Sequence, residues 1–237
     1  MRRVLVLAGV LLVAPVAAQV EPCRVCVASV TPPVTARPAL HSRPDAVFST
    51  VEQNAMKSTL TLLGFAHQVS QDPATTACNV YVAFPGSNYV GAAALASWVR
   101  AGHGVVQVGD WGPGFQASDR LEVESCSPRG VIVADATHPI VAGVPELWFS
   151  TGYWSNDGDV FEDYIGWVTD ADPNLARISG HDRGLSAREE GSGRVVFAGW
   201  RVYGRAANAD DMTILGNAIV WAGRCAPPAG MHSIGGR

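Results

Sequence analysis

The sequence has few basic residues and no cluster of them. Lys57 is the only lysine in 237 residues, and the 17 lysines and arginines are outnumbered by 21 aspartates and glutamates, for a formal charge of −4. A protein that holds nucleic acid by its phosphates needs a stripe of basic side chains. The composition therefore predicts a mildly acidic protein with no nucleic acid partner.

Apolar runs long enough to cross a bilayer are also missing. The longest, residues 4–14, is too short for that, and it follows Arg2 and Arg3. A charged start, a short apolar run and the small residues Val16-Ala17-Ala18 form the pattern of a secretory signal peptide. The alternative is a buried first strand of a cytosolic domain. We predict a signal peptide at residues 1–18, an exported mature chain (periplasmic, cell-surface or extracellular) and no membrane span in it.

Cysteine is scarce and present in an odd number, five. Cys23 and Cys26 form a CxxC pair near the mature N-terminus, whereas Cys78, Cys126 and Cys225 stand alone. Cysteines of an exported chain usually form disulfides. We expect disulfides here, with the pairing left open and at least one thiol left over or bonded to another molecule.

No metal or cofactor is predicted. The CxxC pair lacks a second ligand pair at zinc-binding spacing. A redox CxxC normally opens a helix after a strand, whereas residues 24–30 resemble a strand. Residues 156–159, with Glu162 and Asp163, have the composition of a calcium loop. They do not follow the EF-hand ligand order, so a solvated acidic turn is favoured.

Short apolar strands and helices alternate along the middle of the chain. Strands are predicted at 65–70, 79–84, 104–108, 121–125, 130–134 and 193–199, and helices at about 50–63, 90–101 and 210–221. This repetition, with short turns between the elements, predicts a parallel sheet with right-handed crossovers. Residues 145–192 show no clear pattern.

The chain is long enough for one ordinary domain, which we place at residues 48–224. Before it, residues 19–47 comprise a strand or tether and then a loop that four prolines keep extended from residue 31 onwards. After it, residues 225–237 are predicted to be a flexible tail.

Four phrases in order carry a resemblance to a known family. They are NVYVAFPG, WVRAGHGVVQVGDWG, DATHPIVAG and GRVVFAGWRVYGR, the last followed by a helix ending in NAIVWAG. The chain resembles the class I glutamine amidotransferase-like superfamily, and within it the trehalose-utilisation-like branch, over roughly residues 45–223. The resemblance implies a flavodoxin-like three-layer sandwich, and we predict an α/β fold of that kind with a mostly parallel sheet.

The catalytic residues of that superfamily are not found. Its enzymes carry a cysteine in the turn after the strand that corresponds to residues 104–108, and here Trp111 stands in its place. The family also has a His-x-Glu pair, but no histidine of this chain is followed two residues later by glutamate. Because a triad enzyme depends on its nucleophile, the resemblance implies the fold without glutamine hydrolysis.

Polar and aromatic residues follow the predicted strands, where ligands bind in open α/β sheets. Asp110 and Trp111 could hold a sugar by hydrogen bonding and stacking, or they could cap a turn and pack under a loop. Ser87 and Asn88 follow the neighbouring strand. Ser87 lacks the G-x-S-x-G frame, so a role in the turn is favoured over a nucleophile.

Trp200, Arg201 and Tyr203 follow the last strand and are further candidate ligand contacts. Arg201 could bind a carboxylate or phosphate, or it could pair with an acidic residue such as Asp110 and hold loops together.

Histidines beside aspartates are the candidates for remaining catalysis, together with Asp110. Asp135 and His138 could form an acid–base or metal pair, although a histidine before a proline more often orders a loop. His181 and Asp182 stand in a predicted loop and have the same two interpretations.

The sequence thus predicts an exported, non-catalytic amidotransferase-like domain that binds a carbohydrate or other small polar ligand at the carboxyl edge of its strands. One alternative is a hydrolase or isomerase that uses aspartate and histidine at the same edge, with or without a metal. The other is a ligand-free structural module of an envelope assembly.

Overall fold

The computed structural model describes residues 20–30, 45–84, 87, 92–108, 129–150, 174–178, 181–205 and 207–231. The strands are β1 Arg24–Ala28, β2 Ala66–Ser70, β3 Val80–Ala83, β4 Gly104–Val108, β5 Arg129–Val133, β6 Leu147–Ser150, β7 Asn174–Ile178, β8 His181–Glu190 and β9 Gly193–Ala198. The helices are α1 Asp45–Leu62, α2 Ala92–Arg100 and α3 Ala209–Gly223, with short 3-10 turns at Pro73–Thr75 and Pro139–Val141.

All of these strands belong to one mixed sheet, in the order β2-β1-β3-β4-β9-β8-β7-β5-β6. The pairs from β2 to β9 are parallel, and those from β9 to β6 are antiparallel. The expectation of a mostly parallel sheet is therefore wrong. Its basis, strands that alternate with helices, holds only for the first half of the chain, because β8 and β9 are joined by a tight turn at Gly191, and such a hairpin makes antiparallel neighbours.

Two glycines show that helices cover both faces of the parallel strands. Gly104 of β4 lies so close to α3 that an added Cβ would stand 2.5 Å from the carbonyl carbon of Ala222. Gly193 of β9 points the other way, and its Cβ would overlap the carbonyl oxygen of Val99 in α2. The register agrees, because Gly104 pairs with Arg194 and neighbouring residues of a strand face opposite sides.

We expect Gly193→Ala to lower the free energy of unfolding by about 3 kcal/mol, because the methyl group meets backbone rather than an adaptable side chain. Gly130→Ala is the matched control in β5, where the new Cβ would make an ordinary 3.4 Å contact with Leu147. It should stay within about 1 kcal/mol of wild type. Urea unfolding of both variants makes the comparison, and equal losses would contradict the close packing of α2 on β9.

Strand β1 belongs to the sheet, which settles whether this segment is a strand or a tether. Disulfides join Cys23 to Cys225 and Cys26 to Cys78. Side chains alternate along an extended chain, so two cysteines three positions apart point to opposite faces and cannot bond to each other. Two internal disulfides are typical of a protein that matures in a non-reducing environment.

The segment predicted as a flexible tail begins with an anchored stretch. Cys225 is 5% exposed and disulfide-bonded, and the Ala226 N–H donates to the Glu21 carbonyl at 2.8 Å. This attachment places the start of the tail beside β1. Residues 232–237 lie outside the described part of the chain.

Most predicted elements are present with shifted ends. Helix α1 begins at Asp45, inside the stretch predicted as an extended loop, because the last proline is Pro44 and none falls within the helix. His181 and Asp182 open strand β8 rather than lying in a loop. The predicted signal peptide and the predicted strand 121–125 lie outside the described residues.

Within the described ranges, no helix combines the length and apolar character needed to span a membrane. The same ranges contain no group of three or more histidine, cysteine, aspartate or glutamate residues placed to hold a metal ion.

Candidate functional site

The parallel strands run in the order β2-β1-β3-β4-β9. In open sheets with this order, ligands bind outside the carboxyl ends of the strands, near the point where the strand order reverses. β4 ends at Val108, two residues before Asp110. Asn88, Asp110 and Trp111 lie outside the described residues, whereas Ser87, Trp200, Arg201 and Tyr203 lie within them.

Ser87 closes the turn after β3. Its hydroxyl oxygen accepts a hydrogen bond from the Phe84 N–H at 3.2 Å, and its own N–H donates to the Phe84 carbonyl at 3.0 Å. The residue is 4% exposed. This geometry gives Ser87 a turn-forming role at the end of the strand.

Trp200 and Tyr203, which follow β9, are fully buried, each with 0% exposure. The Tyr203 ring packs edge-on against Phe84 at the end of β3, with 6.3 Å between ring centroids. The segment after β9 therefore lies against the end of β3 and places the aromatic rings inside the protein. Trp200 and Tyr203 support this edge of the sheet from within.

Glu52 of α1 is the polar centre that holds this segment. It is 2% exposed. Its Oε1 accepts from Arg201 Nη2 at 2.5 Å and its Oε2 from the Tyr203 hydroxyl at 2.6 Å. Burial, and after it the Glu52 charge, raise the pKa of Tyr203 well above its ordinary value, so the phenol stays protonated and donates its hydrogen bond.

The same face of α1 also holds Gly204. Its N–H donates to Thr59 Oγ1 at 2.9 Å, and Thr59 lies two helical turns beyond Glu52. Gly204 has φ +76°, a conformation that favours glycine, and an added Cβ would stand 3.2 Å from the Ala55 side chain. Residues 201–204 are thus held to α1 by an ion pair, two hydrogen bonds and close packing.

A second buried carboxylate, Asp211, holds Trp200. Its Oδ1 accepts from the indole N–H of Trp148 at 3.0 Å and of Trp200 at 2.9 Å. Its Oδ2 accepts from Ser150 Oγ at 2.8 Å and from the Asn208 N–H at 3.1 Å. Asn208 in turn caps α3 through the Asp211 N–H, so the helix start, the end of β6 and the segment after β9 meet at one side chain.

Asp135 and His138 form local caps. The Asp135 carboxylate accepts from the Thr137 N–H at 3.0 Å and the Thr137 hydroxyl at 2.6 Å, and these bonds lower the pKa of Asp135. His138 Nδ1 accepts from the Ile140 N–H at 3.3 Å and caps the 3-10 turn, and burial lowers the pKa of His138. Each side chain orders its own loop.

These two residues lie at the opposite edge of the sheet from Trp200. The His138 ring packs 5.1 Å from the ring of Trp221, and Arg194, near the start of β9, lies over the same indole. Trp221 is close to the end of α3, whereas Asp211 is at its start. The structure therefore does not bring Asp135 and His138 together with the residues that follow β9.

Sequence patterns missed Glu52 and Asp211. A signal for Glu52 exists, because it stands four residues before Met56 and eight before Leu60, on the buried stripe of α1. In the sequence, Asp211 is recognisable only as part of an acidic helix start. Its partners Trp148 and Trp200 lie far away along the chain, and no local pattern reveals such a contact.

Comparison with known proteins shows similarity at the level of the fold. No family model and no curated protein matches the chain. Among solved structures, it is similar to a ThuA-like protein from Bacteroides uniformis (TM-score 0.53, 13% identity, 88% of this chain and 95% of that one). It is similar to a ThuA-like protein from Parabacteroides merdae (TM-score 0.53, 14% identity, 86% and 90%).

A third similar structure is a GMP synthase protein from Thermoplasma acidophilum (TM-score 0.52, 10% identity, 84% of this chain and 93% of that one). The chain therefore has an α/β fold shared with ThuA-like and GMP synthase-like proteins, consistent with a class I glutamine amidotransferase-like fold. At these identities the similarity concerns the fold alone.

Proposed function

We propose that this protein is an exported amidotransferase-like domain that has no glutamine-hydrolysing triad and binds a small polar ligand at the carboxyl edge of β3, β4 and β9. A carbohydrate is the first ligand class to test. The ThuA-like structures with the same fold support a carbohydrate-related role. The signal-like N-terminus and the two disulfides support export.

The observation that carries the proposal is the placement of β4. This strand lies between β3 and β9, and its last residue, Val108, is followed by Gly109-Asp110-Trp111. A carboxylate beside an indole can bind a sugar through hydrogen bonds and stacking. A tryptophan offers no nucleophile, so the same position supports binding rather than acyl transfer.

The supporting residues fit this assignment. Glu52 and Asp211 hold the segment after β9, and Ser87 closes the turn after β3. A site between these rigid strand ends needs little ordering when a ligand binds, which favours affinity. Asp110, Trp111 and Asn88 are the proposed ligand contacts.

We expect the mature protein to show a saturable shift in thermal stability and tryptophan fluorescence with at least one sugar in a panel of mono- and oligosaccharides. Trp111→Ala should weaken that binding about tenfold, the loss expected when a stacking ring is removed. Trp221→Ala is the matched control, because it removes an indole at the opposite edge of the sheet.

Equal weakening by the two substitutions would contradict the placement of the site. A folded wild-type protein that responds to no sugar would favour the structural module. Ammonia release from glutamine, measured on the same preparation, would contradict the non-catalytic part of the proposal.

A further inference from the structure

A buried ion pair lies beside the proposed site. Val108 of β4 pairs with Ala198 of β9, and Trp111 and Arg201 each stand three residues beyond these partners. The Arg201 side chain is 16% exposed and that of Glu52 3% exposed. The guanidinium thus lies between the carboxyl edge of the sheet and a carboxylate behind it.

Without Glu52, Arg201 would favour anionic ligands. A guanidinium binds carboxylates and phosphates strongly, and more strongly still where water is partly excluded. Here Glu52 Oε1 lies 2.5 Å from Arg201 Nη2. Its negative charge cancels the positive charge of the guanidinium, and at this burial the cancellation is only weakly screened by solvent.

The carboxylate is fixed in place for this task. Its second oxygen accepts the Tyr203 hydroxyl at 2.6 Å, and Tyr203 is fully buried. The neighbouring Gly204 N–H binds Thr59 on the same helix face, which holds the segment that carries Arg201 against α1. Glu52 cannot turn away from Arg201 without breaking these contacts.

We propose that Glu52 is a specificity-determining residue, which neutralises Arg201 so that the site accepts neutral polyhydroxylated ligands and discriminates against anionic ones. This inference rests on the proposed function and names its ligand class. Glu52 acts through Arg201 and does not touch the ligand. Sugar acids and sugar phosphates are the compounds that the pairing excludes.

The test measures dissociation constants for matched pairs of a neutral hexose and its uronic acid, namely glucose and glucuronate, galactose and galacturonate, and mannose and mannuronate. Wild-type protein should bind the neutral member of a pair more tightly. Glu52→Gln keeps acceptor capacity for Tyr203 and removes the charge. It should shift the preference about tenfold towards the uronic acid, as expected for one newly available charge-assisted contact.

Two more variants complete a double-mutant cycle. Arg201→Gln should shift the preference in the opposite direction, because Glu52 keeps its charge without a partner. The double variant Glu52→Gln/Arg201→Gln should return close to the wild-type preference, because neither charge remains. If Glu52→Gln does not fold, the comparison of Arg201→Gln with the double variant still gives the sign of the Glu52 effect.

Glu190→Gln is the matched control, because it breaks an arginine–glutamate pair with Arg100 away from the proposed site, at 2.7 Å. Circular dichroism establishes that each variant is folded. Equal affinity of wild type for both members of a pair, or shifts of one direction in both single variants, would overturn the inference and leave the proposed function standing. Absence of binding to every compound by wild type and all variants would overturn both.

Discussion

Replacing Cys23 and Cys225 by alanine is expected to lower the free energy of unfolding by about 5 kcal/mol. The two residues are 202 positions apart, so their bond closes most of the chain into one ring and restricts the unfolded state strongly. Both cysteines are also well buried, at 3% and 5% exposure. Urea unfolding, in a Cys126→Ala background that leaves no thiol to exchange, measures the loss.

The second disulfide provides the comparison. Cys26 and Cys78 are 52 positions apart, and the shorter ring predicts a loss of about 4 kcal/mol for the double alanine variant. A larger loss for this variant than for Cys23→Ala/Cys225→Ala would contradict an origin in chain entropy. It would instead indicate that native contacts around Cys26 dominate.

Asp211→Ala is expected to cost about 4 kcal/mol, because it leaves several buried donors without their acceptor. The indole N–H groups of Trp148 and Trp200 and the hydroxyl of Ser150 all donate to this carboxylate. These three residues are at most 4% exposed, so water cannot replace the lost acceptor without disturbing the packing. Thermal and urea unfolding with near-ultraviolet circular dichroism detect both the loss and the disturbed tryptophans.

Asp210→Ala is the matched control in the same turn of α3. Asp210 contributes mainly to the helix dipole, and its loss should cost less than about 1 kcal/mol. A similar cost for the two substitutions would show that the helix start, and not the buried hydrogen bonds, accounts for the effect.

The difference between wild type and Asp211→Ala should also depend on pH. Burial raises the pKa of Asp211 above its unfolded value, against the opposing effect of its hydrogen bonds. The contribution of its protonation to stability is therefore complete below the unfolded pKa and is lost as the pH rises through the folded pKa. The stability difference should be larger in acid than at neutral pH, since the other carboxylates titrate in both proteins.

The parallel half of the fold could be predicted from the sequence. Strands β3, β4 and β9 are apolar runs because both of their faces are covered, and such runs stand out in a sequence. Strands β6 to β8 could not be predicted. β6 alternates exposed and buried residues over only four positions, and its exposed side carries Leu147 and Phe149, so the expected polar alternation is absent.

The candidate site was predictable only in outline. Ser87, Trp200, Arg201 and Tyr203 can be singled out because they follow strands, and the structure does place them at the carboxyl edge of the parallel strands. The direction in which Trp200 and Tyr203 point could not be inferred, because either an outward or an inward ring is compatible with the sequence.

Features that depend on local chemistry follow from the residues alone. Examples are the buried strands, the end of α1 at Gly64 and the impossibility of a bond between Cys23 and Cys26 once their segment is extended. The pairing of Glu52 with Arg201, 149 positions away, and the convergence of three segments on Asp211 emerge only in the folded chain. Contacts between distant residues depend on how strands and helices are arranged in space, and local sequence patterns carry no record of that arrangement.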